Sequence, residues 1–211
     1  MEPGEELYEM LSQRTRRPIV FDSTKAISWI GPQVAALRDI VPLYLIVLTR
    51  DGRAVVNSRL RKRPGVSARE HAARWAEHMR DVEELASSWE GSVHRVCYEE
   101  LASRPEPTLR ALADFLGLAF DPAMLDPWSS DQHLLGSNGG TLLQLLRENG
   151  RSVIPGVINP NDKVRDWYGA HPRGIVLDLR WKRELSAGDL AVFEEVAGET
   201  NRAYAWEGPV E

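Results

Sequence analysis

The 211-residue chain has a single cysteine, Cys97, so no disulfide can close within it, and a reducing compartment is the default. No stretch approaches the roughly 20 apolar residues that a membrane-spanning helix needs. The longest apolar run, Val41 to Leu48, is strand-sized and interrupted by Pro42. The opening MEPGEELYEM is acidic and lacks the charged-then-apolar order of a secretory signal, which predicts a cytoplasmic protein. A Cys/His cluster for zinc, a Gly-x-Ser-x-Gly elbow, a Gly-x-x-x-x-Gly-Lys-Ser/Thr loop, internal repeats and low-complexity tracts are all missing. Positive charge is not in excess either: 31 acidic residues against 26 Lys and Arg leave a net charge of −5. That balance argues against broad nucleic-acid or membrane-surface binding and leaves only local basic patches to interpret.

What is present reads as one α/β domain over residues 1–211, with a core over 18–120, a loop-rich cover over 121–180 and a final helical part over 181–205. Residues 18–21 predict a short strand closing on Asp22-Ser23-Thr24-Lys25, and a helix capped by Thr24 or Ser28 follows to about Arg38. The run PLYLIVLT suits a strand buried on both faces, as in a parallel sheet. Asp51 is placed to cap a helix from Gly52 to about Lys62, which Pro64-Gly65 stops. Ser67 opens a long amphipathic helix with Trp75, Met79, Val82, Leu85 or Ala86, and Trp89 along one face. Residues 91–101 predict another strand and 108–116 another helix. The strand–helix alternation indicates a three-layer sandwich around a central parallel sheet. Beyond Asp121 one helical stretch stands out, residues 141–149, before Ser186 caps a last helix ending near Asn201.

Between Arg50 and Arg63 there are six basic residues and one acid, Asp51, a local balance of +5 in an acidic chain. In open parallel sheets ligands bind outside the carboxyl ends of strands, where the next helix presents free N–H groups and partial positive charge. Arg50 falls at that point, and Ser58 follows about two helical turns later. A guanidinium fork, a hydroxyl and a helix end form a receptor for a phosphate. The competing reading pairs Arg50 with Asp51 or another carboxylate and leaves Arg59 to Arg63 as a solvated helix end.

The segment Leu48-Thr-Arg50-Asp-Gly-Arg-Ala-Val-Val-Asn-Ser58 resembles the 3′-phosphate-binding segment of sulfotransferases that use 3′-phosphoadenosine 5′-phosphosulfate (PAPS). Val96-Cys-Tyr98-Glu99-Glu100-Leu101, followed by Pro105, Leu109 and Phe115-Leu-Gly-Leu, is similar to the family's next block, and Trp181-Lys-Arg-Glu-Leu-Ser186 to its C-terminal end. The resemblance implies a P-loop NTPase-like topology and a cofactor, PAPS or 3′,5′-adenosine bisphosphate, held by Arg50, Ser58 and Tyr98, with no metal. It also implies that Asp22 acts as base and Lys25 as the cation on the bridging oxygen, and that Asn138, in a His133…Gly-x-Asn block, lies near the cofactor. Glu99 and Glu100 are expected to start a helix, one of them ordering a neighbouring turn.

One departure stands out. The family's opening strand, Gly- and Ser-rich loop and helix, which cradle the 5′-phosphosulfate, have no counterpart before Gly31, where the only glycine is Gly4. The sequence therefore looks N-terminally truncated, with a missing N-terminal segment or a second chain expected to complete the site. The implied reaction is sulfuryl transfer to the hydroxyl or amine of a small-molecule acceptor, with neither nucleic acid nor membrane as partner. The alternatives are a non-catalytic or split nucleotide binder and a nucleotide-kinase-like protein.

Overall fold

The computed structural model describes residues 3–129 and 174–208. The chain divides into two compact units, one of residues 1–99 with 178–211 and one of residues 100–177.

The first unit is built around a parallel pair of strands. The apolar run 44–49 forms β1 (Tyr44–Thr49), which pairs with β2 (Ser92–Cys97) in unbroken register from Tyr44 opposite Ser92 to Thr49 opposite Cys97. These are the strands of the sheet among the described residues. Because the two strands end level, the residues that follow them, Arg50 and Tyr98, leave the sheet side by side. Val47 and Val96 are buried, but Tyr44 and Leu48 are 48% and 63% exposed. The expectation of burial on both faces is thus not met along β1, whose strand neighbour among the described residues is β2 alone.

Helices pack around this pair. At the N-terminus lie α1 (Pro3–Thr15), which the sequence reading did not anticipate, and α2 (Ile27–Leu37). The strand expected over 18–21 is absent: residues 17–26 have no regular structure, and Phe21 is 73% exposed. No β partner reaches this segment among the described residues, and the Asp22 carboxylate instead organises it as a turn. Helix α2 starts after Ala26 without a side-chain cap, so neither Thr24 nor Ser28 has the capping role expected of it. Pro32 lies within α2, past its first turn, where it deprives the helix of one backbone donor.

The next two helices follow the sequence closely. Asp51 caps α3 (Gly52–Lys62) by accepting from the Arg53 N–H. Ser67 and Glu70 form a capping box at the start of α4 (Ala68–Ser87), each side chain taking the other residue's backbone N–H. The face of α4 forecast from its periodicity is the buried one: Ala72, Trp75, Ala76 and Met79 join Val56 of α3 and two residues of the last helix, Phe193 and Ala197, in one core cluster. That last helix, α8 (Ala187–Asn201), starts at Ser186, whose hydroxyl accepts from the Asp189 N–H, and it is preceded by a single turn, α7 (Trp181–Glu184). Trp75 lies between Phe193 at 5.8 Å and the edge-on ring of Tyr204 at 5.9 Å. Burying Phe193 contributes roughly 1.5–3 kcal/mol. At the start of α3, Gly52 packs directly on these aromatics. A Cβ there would stand 2.7 Å from the Trp75 ring and 2.8 Å from Phe193.

Strand β2 stops at Cys97, where residues 98–101 were expected to continue it, because the chain turns at once into α5 (Tyr98–Ser103). In the second unit, α6 (Pro105–Phe115) begins three residues before the expected Thr108, with Pro105 at a first-turn position where its fixed φ is already helical. It ends in a Schellman turn: Gly117 adopts φ +66°, its N–H reaches the Asp114 carbonyl, and the Leu118 N–H reaches Ala113. The helix forecast over 141–149 lies outside the described residues.

Candidate anion-binding site

The level ends of β1 and β2 bring Arg50 and Tyr98 together. The Arg50 guanidinium lies 4.3 Å from the centre of the Tyr98 ring, a cation–π arrangement. Its Nη2 donates to the Asp178 carbonyl at 2.8 Å and lies 3.4 Å from the Asp178 carboxylate. Its Nε is buried and makes no hydrogen bond; the nearest carboxylate, Glu99, is 3.9 Å away. The Tyr98 hydroxyl accepts from the Asp178 N–H at 3.0 Å. Burial pushes the phenol's pKa up, opposed by the charge of Arg50. One residue, Asp178, thus fastens both predicted ligand groups.

Beneath them lies a floor of fully buried polar groups. Glu99 accepts the Asp51 N–H at 3.1 Å and the Cys97 thiol at 3.2 Å, so it orders the β1–α3 turn as one of the two acids was expected to. Asn201, at the end of α8, accepts the Gly52 N–H at 2.8 Å. The Asp51 carboxylate takes the Arg53 backbone N–H, a bidentate pair from the Arg53 guanidinium and the Trp206 N–H. Arg53 in turn stacks on Trp181 at 4.2 Å. Asp51, Glu99 and Asn201 are at most 2% exposed. Groups buried this deeply are tolerated because each is paired, and the pairing holds the turn that carries Arg50 rigid.

Two further arginines approach from the sides. Arg180 forms a bidentate pair with Asp178 through Nε at 2.8 Å and Nη2 at 2.7 Å. Burial would raise the pKa of the Asp178 carboxyl, but the hydrogen bond and charge of Arg180, helped by Arg50, hold it at about 2. Arg61 pairs with Glu184 at 3.5 Å, and the same carboxylate accepts from Asn57 at 2.8 Å. Burial, then the charges of Arg180 and Arg50, lower the pKa of Arg61. Of the basic run, Arg61, Lys62 and Arg63 are exposed, as expected of a solvated helix end, while Arg59 is partly buried with its Nη1 3.5 Å from the His71 carbonyl.

The other predicted residues lie elsewhere. Ser58 is partly exposed on α3, and no hydrogen bond among the described residues joins it to Arg50. Asp22 accepts from the Tyr8 hydroxyl, the Thr24 N–H at 2.7 Å and the Trp29 indole at 3.1 Å. Partial burial acts to raise its pKa, but those donors, Thr24 foremost, hold it at about 2. Lys25 reaches the Ser23 carbonyl at 3.2 Å, and neither it nor Asp22 contacts Arg50. Asn138 and His133 lie outside the described residues. The sequence reading missed Asp178, Arg180 and Arg61. Asp178 stands 128 residues from Arg50, and no local pattern announces such a pairing. For Arg61 the signal was helical phase: it follows Asn57 by four residues on one face of α3.

An arginine thus stands at the carboxyl end of a parallel strand, beside a capped helix and an aromatic ring, in an α/β domain. Among the described residues no group of three or more His, Cys, Asp or Glu is placed to hold a metal ion, and no helix is long and apolar enough to cross a membrane. Residues 32–122 match the family model described as "Sulfotransferase family". A curated relative, protein-tyrosine sulfotransferase A of Caenorhabditis elegans, is 27% identical over 143 residues, which cover 64% of this chain. The matched part spans 35% of that relative, about a third of its length. Among solved structures, the sulfotransferase domain from the curacin biosynthetic pathway aligns over 95% of this chain and 68% of its own length, with a TM-score of 0.61 and 21% identity. The sulfotransferase domain of the Synechococcus PCC 7002 olefin synthase aligns over 91% and 63%, with a TM-score of 0.56 and 20% identity. The fold is that of sulfotransferase domains.

Proposed function

We propose that the chain is a sulfotransferase domain that binds a 3′-phosphoadenosine nucleotide at Arg50 and transfers a sulfuryl group from PAPS to a hydroxyl or amine acceptor. The observation that carries this reading is the Arg50–Tyr98 pair, with a buried guanidinium Nε that lacks a hydrogen bond. A buried donor left unpaired costs on the order of 1–3 kcal/mol, which an arriving phosphate oxygen would recover. Arg50 would take the 3′-phosphate, with Ser58 contributing its hydroxyl and the turn before α3 its partial positive charge. Tyr98 supports the guanidinium and presents its ring near the nucleoside. PAPS supplies an activated sulfuryl group on a phosphosulfate anhydride. Lys25 would neutralise charge on the bridging oxygen. The acceptor is a small molecule, and a further segment or second chain would complete the 5′ side of the site.

Binding without turnover is a second reading, favoured by one observation. A carboxylate held at about 2 by three donors is a weak proton acceptor, so Asp22 is poorly suited to act as base. Calorimetric titration with 3′,5′-adenosine bisphosphate and with 5′-AMP tests the binding claim common to both. The bisphosphate is expected to bind at least tenfold more tightly, with Arg50→Ala abolishing the difference. Equal affinities for the two nucleotides, or an Arg50→Ala variant that still distinguishes them, would refute the assignment.

A further inference from the structure

We infer that Asp178 is a resident anion in the arginine site, a built-in competitor that limits how strongly the site favours ligands bearing a 3′-phosphate. The inference rests on the reading of Arg50 as a phosphate receptor. Asp178 engages the site in two separable ways. Its backbone N–H and carbonyl bind Tyr98 and Arg50, and these bonds do not depend on its side chain. Its carboxylate makes the bidentate pair with Arg180 and lies 3.4 Å from Arg50, where both guanidinium side chains are largely shielded, 14% and 26% exposed. A fork of this kind accepts a carboxylate and a phosphate in the same planar, two-bond manner.

The carboxylate therefore does in the free protein what a ligand phosphate would do in the complex. It adds compensating charge beside two shielded cations, where Arg50 also has the Glu99 carboxylate 3.9 Å away. A phosphate ester with up to two negative charges can outcompete it, whereas a nucleotide with a bare 3′-hydroxyl has nothing to offer the arginines and leaves the pair intact. The affinity credited to the 3′-phosphate is then a difference between two ion pairs, and the resident one weakens binding. Such a contact also favours release of a product that keeps its 3′-phosphate.

Asp178→Asn keeps the backbone bonds and the side chain's shape while removing the charge, and Asp178→Ser gives a second variant should the first fold poorly. Calorimetry with 3′,5′-adenosine bisphosphate and 5′-AMP reads the effect as a ratio of dissociation constants. In the variants the bisphosphate is expected to bind roughly fivefold more tightly, the scale of a partly shielded ion pair, with 5′-AMP unchanged, so the ratio rises. An unchanged or falling ratio would overturn the inference and make Asp178 a residue that positions Arg50. The underlying reading fails differently: wild-type protein that does not distinguish the two nucleotides refutes the phosphate receptor itself, whatever the Asp178 variants do.

Discussion

Replacing Asp51 by alanine is expected to destabilise the protein by about 3–5 kcal/mol, the scale for breaking a buried ion pair from one side. The figure follows from what the carboxylate holds. As N-cap of α3 it accepts the Arg53 N–H at 2.9 Å, a contact whose loss typically costs about 1 kcal/mol. It also accepts the Trp206 N–H at 3.0 Å; a buried donor stranded there adds roughly 1–3 kcal/mol. The Arg53 guanidinium would lose its bidentate partner and keep only Glu207 at 3.3 Å and the face of Trp181. Those residual contacts, and the non-additivity of shared networks, put the expected total near the lower end of the range. Asp51→Asn, which can still cap the helix but carries no charge, is expected to cost about half as much, separating cap from charge. For a chain of this size each kcal/mol shifts Tm by about 2–4 °C, so Asp51→Ala should melt roughly 6–15 °C lower in a calorimetric scan. Urea unfolding should show a lower midpoint with an unchanged slope. A loss below about 1 kcal/mol would refute the claim that this carboxylate organises the turn beneath Arg50.

Two other outcomes follow from the same geometry. Gly52→Ala places a methyl group 2.7 Å from the Trp75 ring and 2.8 Å from Phe193; overpacking of this kind is expected to cost about 1–3 kcal/mol in denaturant unfolding, despite alanine's better helix propensity. The Tyr204 phenol, raised to about 12 by burial and by donating to Glu83 at 2.8 Å, has a folded-state pKa above its unfolded value. Its contribution is therefore fully present below pH 10 and is lost as pH rises towards 12, so Tyr204→Phe should flatten the alkaline decline in stability and remove a phenol titrating at about 12 from an ultraviolet absorbance titration.

Local chemistry made much of the fold legible. The caps at Asp51, Ser67 and Ser186 and the buried face of α4 depend on contacts within two to four residues, and each appears where the spacing placed it. The failures have a common cause. Residues 18–21 have a strand's composition but no neighbouring strand to bond among the described residues, and strand propensity without a partner carries little weight. Asp22 looks like a free carboxylate in sequence. Folded, it has three donors, one of them a tyrosine 14 residues earlier. Glu99 and Glu100 are adjacent acids with opposite fates, one at 0% exposure beneath the turn and the other on the surface, because only the first faces the end of β1.

The sequence by itself determined that a basic turn would follow a strand and that Asp51 would cap the helix after it, and it marked Arg50 and, by resemblance, Tyr98 as expected ligand groups. Tertiary structure alone decided what they meet. The level register of β1 and β2 sets the two side by side, α8 returns Asn201 to the Gly52 N–H, and the segment before α7 lays Asp178 across both. A cap is chosen by bonds a few residues long, which composition can encode. Which carboxylate reaches an arginine 128 residues away depends on how the chain closes, and no short pattern carries that information.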